Sequence, residues 1–299
     1  MSVLIVGSIG IDTITTPFGK EKGVLGGSAS YSSVSARFFS PVNLVAVVGT
    51  DFPRKHRAFL EEKGIDLKGV ITKKGRTFRW EGKYGHGFSG PKTLSTELNV
   101  SLDFNPTLPR GYVHTKYLFL ANIDPEIQYN VLRQVKKPKL VVCDSMNYWI
   151  EHKRPQLCKL LREVDIFLCN EIEGQQLSGE RNIVKAAKKL LTLGPKRVII
   201  KKGEHGALLF SDHSVFCIPA FLLEIIFDPT GAGDTFAGGF IGYLAQCKKF
   251  TRAHLRKATV YGSIMAAFAV EDFSLRRLGG ITKKDIAKRF KEFQKLTCF

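Results

Sequence analysis

The sequence predicts an α/β fold of three layers, in which helices flank a doubly wound, mostly parallel sheet and a small β-sheet lid is attached. Three observations lead there. Short runs rich in Val, Ile and Leu recur along the chain, continuous rather than alternating, which marks strands covered on both faces. Amphipathic stretches with helical spacing lie between them. Two segments, approximately 13–26 and 72–100, break that rhythm with Gly, Thr and aromatic residues.

Taken in order, residues 3–6 make the first strand and 31–39 the first amphipathic helix. Residues 44–48, 117–120, 140–143, 166–169 and 198–200 are the further strands, each bounded by Gly, Asp or Pro. Helical patterns fall at 54–63, 125–135, 154–164 and 182–193. Within the second unusual segment Phe78, Trp80 and Tyr84 alternate with Arg79, Glu81 and Lys83, the period of a two-faced strand. Both segments therefore read as antiparallel ribbons that cover one end of the core. With no repeat, low-complexity tract or Pro-rich linker, all 299 residues are expected to form a single core domain with this lid grown out of it.

The apolar runs are far shorter than the ~20 residues that span a bilayer, so no membrane partner is expected. The N-terminus runs straight into a strand pattern without a basic region, and the six cysteines are scattered without a Cys-x-x-Cys pair. A cytoplasmic protein fits both. The seven histidines show no His-x-x-x-His spacing, which argues against imidazole-bound metal. Lys and Arg outnumber Asp and Glu by 45 to 27, a formal charge of +18. That excess fits a polyanionic partner, a phosphorylated small substrate or a solvated surface. Lysines such as Lys185, Lys188, Lys189, Lys283 and Lys284 fall on predicted surface helices and the tail, and no nucleic-acid-binding motif is present. Most of the charge therefore reads as surface, and no nucleic-acid partner is expected.

Chemistry concentrates in the run from Phe227 to Phe240. Gly231-Ala232-Gly233 leads into Asp234, and Phe236, Phe240 and Leu244 follow at helical steps. Asp234 would sit in the first turn, where backbone N–H groups lack intrahelical partners and the helix dipole is positive. Glycines there let the backbone approach an anion, so the loop can hold a phosphoryl group as its charge develops. A carboxylate beside that hole can accept a proton from an attacking hydroxyl. The competing reading is a glycine-rich helix start with an ordinary first-turn acid.

The whole run, Asp228-Pro229-Thr230-Gly231-Ala232-Gly233-Asp234-Thr235-Phe236, resembles the C-terminal signature of the ribokinase-like, PfkB-type family of carbohydrate and nucleoside kinases. The resemblance extends along nearly the whole chain. Gly10-Ile11-Asp12 is similar to the family's opening, which implies that Asp12 binds acceptor hydroxyls. Gly26-Gly27 is similar to its double glycine at the lid hinge, which implies that Gly26, Gly27 and nearby Tyr31 border the acceptor. Asn170 and Glu173 match its Asn-x-x-Glu, which implies a role in placing Mg²⁺ (through water at Glu173) and phosphates. They also fit a capping box, and the two readings are compatible. Lys201, Gly203 and Gly206 stand where the family binds nucleotide. The resemblance implies Asp234 as catalytic base and Gly231, Ala232 and Gly233 as the anion hole, with Thr230 beside the nucleotide and Asp228 beside the acceptor.

It thus implies an ATP- and Mg²⁺-dependent kinase acting on a primary hydroxyl of a small sugar, or alternatively of a nucleoside. A basic nucleic-acid-binding or regulatory protein on the same fold is a remote alternative. Ser30-Tyr31 stands where many sugar kinases carry Asn, and the tail from Val270 to Ser274 lacks a Gly-rich loop, so a monovalent cation is left open. Tyr261 and Gly262 are then the candidates for adenine contact. The aromatic lid face of Phe78 and Trp80 either packs against protein, including a second lid in a homodimer, or stacks on a nucleobase. Asn122, Asp144 and Asn147 follow core strands, where ligands of open α/β sheets bind, and are further acceptor-site candidates.

Overall fold

The computed structural model of the chain describes residues 1–87, 90–211, 214–247 and 249–297. Its strands are β1 (Val3–Val6), β2 (Gly10–Thr16), β3 (Gly19–Gly26), β4 (Val42–Gly49), β5 (Ile65–Lys73), β6 (Phe78–Lys83), β7 (Lys92–Glu97), β8 (Tyr117–Leu120), β9 (Leu140–Asp144), β10 (Ile166–Asn170), β11 (Arg197–Lys201), β12 (Ala207–Ser211) and β13 (Ser214–Ile218). Its helices are α1 (Ser28–Ala36), α2 (Arg54–Glu62), α3 (Pro125–Gln134), α4 (Asn147–His152), α5 (Arg154–Leu161), α6 (Glu171–Ser178), α7 (Ile183–Leu191), α8 (Ala232–Leu244), α9 (Arg252–Ala269), α10 (Arg276–Gly280) and α11 (Lys283–Leu296).

The large sheet runs β13-β12-β11-β10-β9-β8-β1-β4-β5, parallel from β11 to β5, with β12 and β13 added antiparallel at one edge. Alternate residues of one strand feed two separate cores. Val3 and Ile5 pack on one face, Leu4 and Val6 on the other. That is why the central strands read as unbroken apolar runs. The strands missing from the sequence prediction, β5, β12 and β13, lie toward the two edges, where polar and exposed positions interrupt the pattern. Strand order reverses between β1 and β8, and such a switch point leaves a crevice at the carboxyl ends of the strands.

The lid is a second sheet, β3-β2-β6-β7. Its two ribbons are antiparallel, as predicted, but they join through a parallel pairing of β2 with β6. The strands begin at Gly10 and Phe78, while residues 72 and 73 belong to β5 and residues 88 and 89 lie outside the described residues. Polar contacts tie the sheet to the core: His56 Nε2 lies 3.0 Å from Gly23 O, and Arg79 pairs with Asp51 and Arg276 with Glu21, each at 2.7 Å.

Helices α1 and α8 touch at unusually short range. Every residue of α1 is buried, including five serines. Ser35 Oγ donates to Thr235 O at 2.7 Å, and just beyond α1 Ser40 Oγ donates to Gly242 O at 3.0 Å. A Cβ on Gly238 would fall 2.2 Å from Ser32 O, and one on Gly242 would fall 2.8 Å from Ala36. Small residues are what allow the two backbones to meet.

Candidate active site

Two helices open toward the carboxyl ends of the strands, and their first turns differ. Helix α6 is closed by its own side chains: Asn170 Oδ1 accepts from Glu173 N at 2.8 Å, while Glu173 Oε2 accepts from Asn170 N at 2.7 Å. Helix α8 has no side-chain cap. It is entered through Gly231 at φ 71°, a left-handed conformation that suits glycine, and a Cβ there would also lie 2.4 Å from the Tyr31 ring. Ala232 N–H is taken by Pro229 O and Asp234 N–H by its own carboxylate, while that of Gly233 meets no backbone carbonyl among the described residues. The first turn of α8 thus has the physical character of an anion-binding terminus, with the Gly233 amide free to meet a charge.

The loop before it is held by Asp228. Its Oδ1 accepts from Thr230 N and its Oδ2 from Ser274 N, both at 2.9 Å, and the carboxylate is fully buried. Ser274 Oγ in turn donates to Leu25 O at 2.6 Å, joining the loop to the last residues of β3. Thr230 Oγ1 donates to Tyr84 Oη at 3.2 Å, a direct link from the lid to the residue before Gly231.

Beneath the anion hole three carboxylates surround one lysine. Lys201 Nζ, at the end of β11, donates to Asp144 Oδ2 at 2.9 Å, and a Cβ on Gly233 would come within 3.0 Å of the same Nζ. Burial alone would lower the Lys201 ammonium, but Asp144 and Glu173 outweigh it and hold it above its usual value. Burial pushes Asp234 up to about 7, reinforced by Asp144 and opposed by Lys201. Burial likewise raises Glu173 to about 7, against the pull of Lys201. One ammonium does not neutralise three acids, so the cluster has room for another positive charge. Among the described residues no group of three His, Cys, Asp or Glu has metal-binding geometry. A hydrated divalent ion, held through water at Glu173, would fit that charge balance.

Across the switch point lies the acceptor side. Asp12 is buried in β2, and a Cβ on Gly26 would fall 1.9 Å from its Oδ2, so only glycine leaves that carboxylate its place. Burial, with Asp228 and Asp234 nearby, raises Asp12 to about 8. Its Oδ1 has no hydrogen-bond partner among the described residues. The same holds for buried Asn122 Oδ1, whose backbone oxygen accepts from Ser28 Oγ at 2.7 Å beside the double glycine. Both atoms are unpartnered acceptors among the described residues, and Asp234 is close enough to Asp12 to act on its carboxyl. Such buried orphans are costly unless a ligand supplies hydroxyl donors.

A sequence model describing the pfkB family of carbohydrate kinases matches residues 17–278. The chain belongs to the PfkB family. It is accordingly a phosphotransferase with an alcohol group as acceptor. Relatives of this PfkB kinase include a cytidine kinase from Thermococcus kodakarensis, 32% identical over 81% of this chain and 88% of the relative. A nucleoside kinase from Methanothermobacter thermautotrophicus is 25% identical over 83% of this chain and 78% of the relative. Among solved structures, an aminoimidazole riboside kinase from Salmonella enterica, complexed with aminoimidazole riboside and an ATP analogue, superposes at TM-score 0.79. It shares 19% identity over 97% of this chain and all of that one. The Methanocaldococcus jannaschii nucleoside kinase, a ribokinase-family member, superposes at 0.76 with 18% identity over 97% and 98% of the two chains. These likenesses show the ribokinase-like fold.

Not every residue singled out in the sequence reaches this site. Tyr261 and Gly262 do not: Tyr261 packs between Tyr243 and Phe290, at 4.8 and 4.7 Å between ring centroids, toward the far end of α8. Gly262 serves close helix packing, since a Cβ there would meet Phe236 O at 2.9 Å. The sequence offers both as candidates for adenine contact; in the structure they are packing residues. Asp228 and Tyr31 were read as acceptor contacts. Asp228 has both oxygens engaged by backbone, and Tyr31 is buried behind Gly231, so both shape the loop from within. Asn147 is exposed and lines a groove with Glu151, Ile172 and Gln175.

Gly203 borders open space beyond Lys201, whereas Gly206 is pinned against Ile218 O. Phe78 lies against Gly10, and Trp80 packs with Tyr84, Ile14 and Phe273 in the lid's own small core. The aromatic lid face is thus largely packed against protein. Sequence reasoning missed the Asp144–Lys201 pair, the Ser274 bridge and the Tyr84–Thr230 contact. The signal for the first existed in part, since both residues end parallel strands, β9 and β11, that flank β10.

Proposed function

We propose that this PfkB kinase transfers the γ-phosphoryl group of ATP, with Mg²⁺, to a primary hydroxyl of a nucleoside. The observation that carries the reading is the proximity of the orphaned Asp12 carboxyl to Asp234, in the first turn of a helix with no side-chain cap. Asp12 and Asn122 would hold the sugar hydroxyls. Asp234 would take the proton from the primary hydroxyl as it attacks, and its raised pKa matches it to that task near neutral pH. The amide of Gly233, with Lys201 beneath it, would meet the charge that develops on the transferred group. Mg²⁺, held through water by Glu173, supplies further neutralisation of the donor phosphates when bound. Closure of the lid, through Tyr84 on Thr230, would exclude water and so suppress hydrolysis of ATP.

A nucleoside is favoured over a bare sugar by the cytidine and nucleoside kinases among the relatives, the first 32% identical over most of both chains. In the structure, half-buried Phe78 beside Gly10 offers an aromatic surface near Asp12. A coupled assay with ATP and Mg²⁺ over cytidine, adenosine, inosine, ribose and fructose tests the reading. We expect turnover with at least one nucleoside to exceed that with ribose or fructose by tenfold or more in kcat/KM. Preference for a free sugar would reverse the assignment of the acceptor, and no transfer to any alcohol would end it.

A further inference from the structure

At the opposite end of β11 from Lys201 lies a second concave site. A cavity of about 300 Å³ opens between the start of β11, the β12–β13 hairpin and the first turn of α9. Lys196, Arg197, Arg252 and Arg256 line it, over a floor of buried Leu209 and Leu255. No acidic residue is among its described walls. Lys196 pairs with Asp165 at 2.7 Å, but Arg197, Arg252 and Arg256 have no carboxylate partner among the described residues. Arg256 lies over the Phe216 ring at 5.1 Å.

What sets this grouping apart is that three arginines without a carboxylate partner among the described residues line one cavity, whereas several arginines elsewhere on the surface are paired. Arg79, Arg276, Arg277 and Arg289 each face Asp51, Glu21 or Glu271 at 2.7 Å or less. Three guanidiniums directed at one cavity repel one another, and an anion relieves that repulsion. The planar guanidinium fork fits phosphate oxygens in particular. The leucine floor and Phe216 suit an apolar body attached to the phosphate, and the volume lies at the small end of ligand cavities. We propose that this cavity binds a phosphate monoester of mononucleotide size, at a site separate from the catalytic crevice. Four residue steps of β11 separate Arg197 from Lys201, about 13 Å, so one molecule of that size would not fill both. The inference rests on the cavity and its charges, not on the acceptor assigned above.

Isothermal titration with cytidine monophosphate, ribose 5-phosphate and inorganic phosphate tests it on the full chain and on the double variant Arg252→Gln, Arg256→Gln. Both positions are exposed and outside the catalytic crevice, so melting temperature and turnover should match the parent. At least one monoester should bind the parent at a site that the double variant weakens by tenfold or more. Whichever ester binds more tightly identifies the source as nucleotide or sugar phosphate. Inorganic phosphate should bind there at least tenfold more weakly than the better ester; equal affinity would overturn the monoester assignment. The proposal also fails if no ester occupies a site sensitive to the double variant. It fails equally if a single-stranded oligonucleotide binds more tightly than either ester and loses that binding in the double variant, which would make the patch a polyanion track.

Discussion

Helices α6 and α8 start beside each other in the same crevice, one closed and the other open. In α6 the Asn170–Glu173 capping box satisfies the helix terminus from within. In α8 a left-handed glycine without a capping side chain leaves the Gly233 amide without a backbone carbonyl among the described residues. The difference separates structural from chemical use of one physical feature. A helix N-terminus attracts anions only while its amides are free, and a good cap spends that capacity on stability.

The largest test of the comparison is Asp234→Asn on the open helix. Loss of the base should lower kcat by about 10²- to 10⁴-fold, with ATP affinity nearly intact by direct titration. A rate close to that of the parent would remove Asp234 from the proton transfer. On the closed helix, Asn170→Ala should cost about 1 kcal/mol, a fall in melting temperature of roughly 2–4 °C. If Glu173 also orients a hydrated Mg²⁺, the same change should weaken apparent Mg²⁺ affinity by about tenfold with kcat little altered. A change in stability alone would make α6 purely structural.

A pH-dependent effect concerns Asp12. Its pKa, raised to about 8 from 3.8, means that the folded chain binds this proton more tightly than the unfolded chain. That contribution to stability is complete at low pH and fades as pH rises from about 4 through 8. Thermal melts of ligand-free protein should therefore show a decline toward pH 8 that Asp12→Asn flattens. Identical profiles for the two proteins would mean that Asp12 is not held protonated.

Much of this was legible from residues 3–6, 140–143 and 166–169, whose burial on both faces leaves a continuous apolar signature, and from Gly231 to Asp234, where the loop chemistry is local. What could not be read depends on distance along the chain. Lys201 meets Asp144 only because β9, β10 and β11 lie side by side, and Ser274 reaches Asp228 from the far end of α9. Tyr261 misled because an isolated aromatic residue near a glycine looks the same whether it stacks on a base or on Phe290. The edge strands escaped notice because partial exposure breaks up their apolar pattern.

The close contact of α1 with α8 bears on how such an enzyme can change its preferences. Serine and glycine fill that seam with no space for a larger group, so enlargement of Ser32, Gly238 or Gly242 would force the backbones apart. The double glycine at the lid root and the anion hole are thereby fastened to one another as a single unit. Variation in acceptor is left to β2, β6 and the loops after β8 and β9, which can diverge without disturbing the machinery of transfer. Altered specificity should accordingly be sought in lid and strand-end libraries, with the seam held constant.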